Sequence, residues 1–179
     1  MKKMLIGLIS DTHIPDRAKK IPRKVFDAFN DVDLILHAGD LTSLKVIEKL
    51  EKMAPVIAVQ GNMDRVNGIY LPIAKVIEVE DLKIGIAHGE VYPRADTQQL
   101  VYLAKELNVD ILVTGHSHQP KIEQSEGILL LNPGSPIVPR LADRTVMLLE
   151  IKNKEVDVEI IKIGAPVCSA LDFDKYKRD

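Results

Sequence analysis

The chain has 179 residues, a length that favours one domain with a substantial hydrophobic core. Hydrophobic residues make up 46% and charged residues 28%, the balance of an ordinary globular protein. A net charge of −2 gives no sign of a nucleic-acid or acidic-membrane partner, yet leaves room for a small anionic substrate, because a metal site supplies its own positive field.

The first apolar run, Met4–Ile9, follows Met1-Lys2-Lys3 and stops at Ser10-Asp11. It is too short for the core of a signal peptide and reads as a buried strand. Residues 22–29 read as a helix with Pro22 at its start, where a missing N–H costs little. Leu34–His37 is a short strand, and residues 43–53 form an amphipathic helix with Val46, Ile47, Leu50 and Met53 on one face. Residues 56–59 are the next strand. Ala74–Val79 and Leu82–Ala87, separated by Glu80-Asp81, suggest an antiparallel pair. Residues 96–108 follow as a helix and Ile111–Val113 as a buried strand. Runs 121–124, 128–131, 145–151 and 155–163 are strand-like, the last two joined by a tight turn at Asn153-Lys154.

Strand and helix units thus come first and an antiparallel run last, with helices covering the outer faces of two packed sheets. No repeat or linker divides the chain, so residues 1–164 read as one domain and 165–179 as a surface tail. No stretch is long enough to span a bilayer, and the single cysteine, Cys168, fits a reducing, cytoplasmic setting.

Short polar motifs stand directly after the apolar strands. They read Asp11-Thr12-His13, Gly39-Asp40, Gly61-Asn62, His88-Gly89 and Gly115-His116-Ser117-His118. Open α/β folds place ligands outside the carboxyl ends of their strands, so these motifs are expected to gather at one edge of the sheets. Together they offer two carboxylates, one amide and four imidazoles, donors suited to divalent transition metals. So many donors exceed what one metal usually takes from a protein. They point to a dinuclear site, a device for splitting phosphate esters. Taken singly, the motifs have plainer readings: Gly39-Asp40 and Gly61-Asn62 as turns, His88-Gly89 as a strand end.

In this order, Asp-x-His, Gly-Asp, Gly-Asn-x-Asp, His-Gly and Gly-His-x-His resemble the calcineurin-like metallophosphoesterases. The short length and the segment Asn132-Pro133-Gly134-Ser135 resemble their small YfcE-like phosphodiesterase branch. The resemblance runs from Leu5 to about Arg140 and implies an α/β fold, a four-layer α/β/β/α sandwich of two mixed sheets. It implies that Asp11, His13 and His118 hold one metal and that Asn62, His88 and His116 hold the other. Asp40 would bridge both. Mn²⁺ is the preferred metal, with Ni²⁺, Fe or Zn²⁺ as alternatives. The resemblance also favours a homodimer, for which Ile137-Val138 and residues 165–171 offer apolar contacts.

The chemistry is consistent with small phosphodiesters as substrates. Two divalent cations, two aspartates and a bridging hydroxide leave a core of about +1, matched to a diester monoanion. Metal binding lowers the pKa of water from about 15.7 towards about 7, so hydroxide can attack phosphorus without a protein base.

Some positions depart from the family pattern. Larger relatives often carry a histidine after Gly-Asn that is thought to protonate the leaving group. Met63 stands there and cannot donate a proton. Asp64 is a candidate catalytic residue, either as acceptor for a ligand histidine or as a turn-stabilising carboxylate. Glu90 replaces a histidine of many relatives, lining the substrate mouth or facing solvent. His37 reads as packed or as a support behind the ligands. Arg17, Lys19, Lys20, Arg23 and Lys24 form either a solvated loop or a patch that steers phosphate. Arg94 and Arg140 are further candidates for phosphate contact. The alternatives to a small-diester hydrolase are a protein-binding scaffold, like the retromer scaffold subunit of similar fold, and a nuclease. The slightly acidic chain without tryptophan disfavours the latter.

Overall fold

In the computed structural model, which describes residues 3–167, two five-stranded sheets pack face to face. The first contains β1 (Met4–Ile9), β2 (Leu34–His37), β3 (Val56–Ala58), β9 (Arg144–Lys152) and β10 (Glu155–Gly164). Their order is β10-β9-β1-β2-β3. The second contains β4 (Ala74–Val79), β5 (Leu82–Ala87), β6 (Ile111–Val113), β7 (Pro120–Ser125) and β8 (Ile128–Pro133). Their order is β4-β5-β6-β8-β7. Both sheets are mixed. β1, β2 and β3 run parallel, as do β5, β6 and β8, while β9, β10, β4 and β7 pair antiparallel.

Strand alternation explains the layers. Leu34 and Leu36 of β2 point inward and join Ile6, Leu8, Ile84, Ile86, Ile111, Val113 and Leu131 between the sheets. Ile35, between them, points outward to Val25 and Phe29, at α1 (Arg23–Ala28), and to Val46 and Leu50 of α2 (Lys45–Leu50). On the other sheet, Leu112 and Leu130 point outward to Leu100, Val101 and Ala104 of α4 (Thr97–Leu107). The result is the four-layer α/β/β/α sandwich. Full burial of each such Leu or Ile contributes about 1.5–3 kcal/mol.

Local chemistry sets the element ends. Asp96 caps α4 by accepting the Gln99 N–H at 2.9 Å, and Asn108 ends it in the left-handed region at φ 54°. Asn153 and Lys154, with φ 53° and 64°, make the expected tight hairpin. Glu80-Asp81 turns the same way, and the two hairpins are tied by Lys154 Nζ to Asp81 at 2.8 Å.

Two expectations need correction. Gly61-Asn62 is no simple turn, because Asn62 opens the short helix α3 (Asn62–Val66). Five residues are too few for an apolar period to register. Ile137-Val138 is not a free dimer surface: Ile137 is buried within its own chain and Val138 lines a cleft described below. Of the expected tail, residues 165–167 form no regular element; residues 168–179, with Cys168 and most of the other proposed dimer segment, lie outside the described residues. Among the described residues, no helix is long and apolar enough to cross a membrane.

Gly7 in β1 lies under Phe29. An added Cβ would sit 2.9 Å from the fully buried ring. Gly7→Ala should therefore destabilise the fold by about 1–3 kcal/mol through overpacking, read as a lower urea midpoint at unchanged m-value.

Candidate metal centre

The loops after β1, β2, β3, β5 and β6 leave the parallel strands at their carboxyl ends. They carry Asp11 and His13, Asp40, Asn62, His88, and His116 and His118 respectively. The donor atoms of Asp11, His13, Asp40 and His118 all lie within 4.8 Å of one another. His88 Nε2 joins them, 3.3 Å from Asp40 Oδ2 and 4.0 Å from Asp11 Oδ1. The imidazoles form two pairs, His13 with His118 (centroids 5.2 Å apart) and His88 with His116 (5.1 Å). Asp40 Oδ2 lies between the pairs, 3.6 Å from His13 Nε2.

Each carboxylate has one oxygen bound and one presented. Asp11 Oδ2 accepts from Ser10 Oγ at 2.7 Å and from the His116 N–H at 3.0 Å. Its Oδ1 faces His118 Nε2 at 3.2 Å and His13 Nε2 at 3.8 Å. Asp40 Oδ1 accepts the Met63 N–H at 2.8 Å, leaving Oδ2 to the histidines. His88 and His118 donate Nδ1–H to the carbonyls of Ala38 (2.7 Å) and Val138 (2.6 Å), which turns each Nε2 lone pair inward.

Asp11 Oδ1, His13 Nε2, His88 Nε2 and Asn62 Oδ1 are buried without a hydrogen-bond partner among the described residues. Unpaired buried polar atoms are costly. Donors sharing one cation, each about 2.1 Å from it, stand roughly 3–4 Å apart. The spacing here, 3.2–4.0 Å, matches that requirement. The residues fit a divalent metal, and a cation among Asp11, His13, Asp40, His88 and His118 would satisfy Asp11 Oδ1, His13 Nε2 and His88 Nε2.

The backbone is strained where the donors sit. Asp11, His13, Asp40, His116 and His118 all have φ between 45° and 67°. Such left-handed residues are uncommon outside glycine and gather at functional sites. The motif glycines are explained by crowding. A Cβ on Gly115 would lie 2.6 Å from Asp11 Oδ2, and one on Gly39 2.7 Å from His88 Nδ1. A Cβ on Gly61 would overlap Asp40 Oδ1.

Opposite charges shape the electrostatics. Burial alone would raise the Asp11 carboxyl, but His118, His13 and His88 outweigh it and hold the group below the ordinary range. Asp40 is also lowered, burial being overcome chiefly by His88. Burial disfavours charge on the imidazoles, yet Asp40 and Asp11 lift His88 to about 9, and Asp11 raises His118. His116 goes down because burial, His88 and Arg94 all oppose a charge there.

Asp64 is not an acceptor for a ligand histidine. It is fully buried, and its oxygens accept the backbone N–H groups of Asp40, Gly61 and Thr42, each at 2.8 Å. Burial pushes its carboxyl up while these donors hold the ionised form. It fixes the loops after β2 and β3, the second of the two sequence readings. His37 is packed, as expected. Its Nδ1 accepts the Gly39 N–H at 3.2 Å, so Nε2–H donates to Thr12 Oγ1 at 3.1 Å, and burial lowers it to about 3. Glu90 forms a two-pronged pair with Arg65, at 3.0 and 2.7 Å.

The Asn132-Pro133-Gly134-Ser135 segment, which stood out in the sequence only by resemblance, supplies further positioning residues. Asn132 Nδ2 donates to the Gly115 carbonyl at 2.7 Å, and Ser135 Oγ to the Asp11 carbonyl at 2.7 Å. The Asn132–Ser135 segment thereby clamps the loops after β1 and β6 together. Beside the donors opens a cleft of about 510 Å³, lined also by Asp16, Arg17, Met63, Arg94 and Arg140.

The chain as a whole matches known proteins. Residues 4–154 match the calcineurin-like phosphoesterase superfamily domain. The chain belongs to this superfamily. It is 61% identical over 170 residues to a probable metallophosphoesterase of Methanothermobacter thermautotrophicus, covering 95% of this chain and 99% of that one. The solved structure of Entamoeba histolytica Vps29 complexed with Zn²⁺ superposes with a TM-score of 0.73 at 30% identity, over 90% of this chain and 100% of that one. An archaeal phosphodiesterase superposes with a TM-score of 0.63 at 28% identity, over 88% and 100% of the two chains.

Metal binding should be visible as thermal stabilisation. With Mn²⁺ at a hundred times its Kd, Tm should rise by about 5–10 °C. Gly61→Ala, which displaces the Asp40 carboxylate, should lose most of that rise. Gly68→Ala, where an added Cβ meets nothing within 4 Å, should keep the rise on a lower baseline because φ is +72°. Equal shifts in both variants would contradict the crowding argument.

Proposed function

We propose that the protein is a dimetal phosphodiesterase acting on small phosphodiesters. The observation that carries this reading is the buried cluster of Asp11, His13, Asp40, His88 and His118, whose carboxylate–imidazole distances are 3.2–4.0 Å, with Asp11 Oδ1, His13 Nε2 and His88 Nε2 lacking a hydrogen-bond partner among the described residues. Asp11, His13 and His118 would hold one cation and Asn62, His88 and His116 the other, with Asp40 shared between them. Bound cations would supply Lewis-acid activation of water and of the phosphoryl oxygens.

The side chains set the conditions for that chemistry. Asp11 and Asp40 bring the only formal negative charges among the proposed ligands; the imidazoles and the Asn62 amide add donors without further charge. The backbone carbonyls of Ala38 and Val138 fix His88 and His118 in the tautomer that offers Nε2. Asp64 acts one step out by holding Asp40 in place. The cleft of about 510 Å³ is large enough for a nucleotide-sized ester. Met63 borders it and offers no proton, so diesters with good leaving groups should turn over best. Mn²⁺ is the proposed working metal and the cytoplasm the proposed location.

A protein-binding scaffold of the same fold is the second reading, favoured by the likeness to Vps29. The complete donor set argues for the enzyme.

Purified protein should cleave bis-p-nitrophenyl phosphate when Mn²⁺ is supplied. Asp40→Asn should lower kcat at least about a hundredfold, the scale of losing one electrostatic stabiliser, with the circular dichroism spectrum unchanged. Full turnover in that variant, or in protein stripped of metal, would remove the mechanism.

A further inference from the structure

Three arginines converge on the mouth of the cleft from three separate loops. Arg17 follows β1, Arg94 follows β5 and Arg140 follows β8. All three are exposed, and none has a side-chain hydrogen bond or ion pair among the described residues. Two other surface arginines are paired: Arg65 with Glu90, and Arg23 with Asp27. Two of the three are anchored to the donor loops through their backbone. The Arg17 N–H donates to the His13 carbonyl at 2.7 Å, and the Arg140 N–H to the His118 carbonyl at 3.2 Å. The acid that shares the rim, Asp16, reaches towards Asn67 Nδ2 at 3.5 Å.

The scissile group does not account for this charge. Two divalent cations with Asp11, Asp40 and a hydroxide would leave about +1, which already matches a diester monoanion, so the rim carries a surplus. Arg17, Arg94 and Arg140 against Asp16 leave a net of about two positive charges, which is the complement of a phosphate monoester at about −1.5 to −2. Guanidinium forks match phosphate oxygens better than a point charge does.

Resting on the phosphodiesterase reading, we propose that this arginine rim is a subsite for a second, non-scissile phosphate of a small substrate. The substrate class is therefore a nucleotide-like diester that bears a further terminal phosphate. The rim binds that phosphate equally before and during the reaction, so its effect belongs mainly in KM.

The test compares two chromogenic esters with the same leaving group. These are thymidine 5′-(p-nitrophenyl phosphate) with and without a 3′-phosphate, assayed with the Mn²⁺-loaded full chain. Wild type should prefer the 3′-phosphorylated ester by about tenfold or more in kcat/KM, equivalent to about 1.4 kcal/mol. Arg17→Gln, Arg94→Gln and Arg140→Gln should each shrink that ratio, and the triple variant should bring it near one. Lysine replacements should restore part of it, since charge returns without the fork. Equal rates on both esters in wild type overturn the subsite and leave the phosphodiesterase reading intact. A preference that survives in the triple variant also overturns the subsite. So does a variant that slows both esters alike, which marks general steering by charge. A metal-loaded wild type that cleaves neither ester overturns both readings.

Discussion

The site depends on how two buried aspartates divide their oxygens. In Asp11 and Asp40 one oxygen is held by N–H or O–H donors and the other is left bare towards imidazole nitrogens. The held oxygen fixes the plane of the carboxylate. The bare one could be paired by water or by another side chain in an ordinary core, where buried polar groups are satisfied. Here its neighbours include His88 and His118, whose other nitrogens are already committed to Ala38 and Val138. The arrangement is rigid in every direction except towards a cation.

This rigidity comes from the sheets. Parallel strands bring their carboxyl ends to one edge, and the inward residues of both sheets lock the edges together. The loops then need only a few residues to deliver each donor, and they do so in left-handed backbone at Asp11, His13, Asp40, His116 and His118. Each such residue costs on the order of 1–3 kcal/mol. The strain persists because Asp64, Asn132, Ser135 and His37 bind the loops to one another through backbone groups. Backbone clamps of this kind make the position of a donor insensitive to its own side-chain preferences.

Much of this was legible in the sequence because its signals are local. Apolar runs ending in Asp11, Asp40, His88 and His116 mark strand ends without any tertiary knowledge. The helix at Asn62–Val66 was hidden because it is set by Asp64 reaching Gly61 and the neighbouring loop, not by an apolar period. The role of Asp64 stayed open for the same reason: an acidic residue three places after a glycine fits a turn and a histidine partner equally well. Gly39, Gly61 and Gly115 appear in the motifs, yet the cause of their presence, carboxylate and imidazole atoms pressed against the backbone, is a packing fact. That β9 and β10 close the first sheet beside β1 is also beyond local pattern, since antiparallel runs could extend either sheet.

Charge connects the interior of the site to its rim. Without cations, the two carboxylates are balanced by imidazoles whose protons they hold, which is why His88 and His118 move up while Asp11 and Asp40 move down. Cations entering the focus would displace those protons, because a metal ligand must be neutral imidazole or ionised carboxylate. The interior would thus exchange protons for cations and, with a hydroxide counted, reach about +1. The arginines at the rim take no part in this exchange, for their charge is fixed at any ordinary pH. Their surplus is directed outwards, into the part of the cleft where a substrate extends beyond the reacting phosphorus. On the proposed reading the metal centre and the rim answer different questions: the first sets which bond is weakened, the second which molecule is held while it breaks.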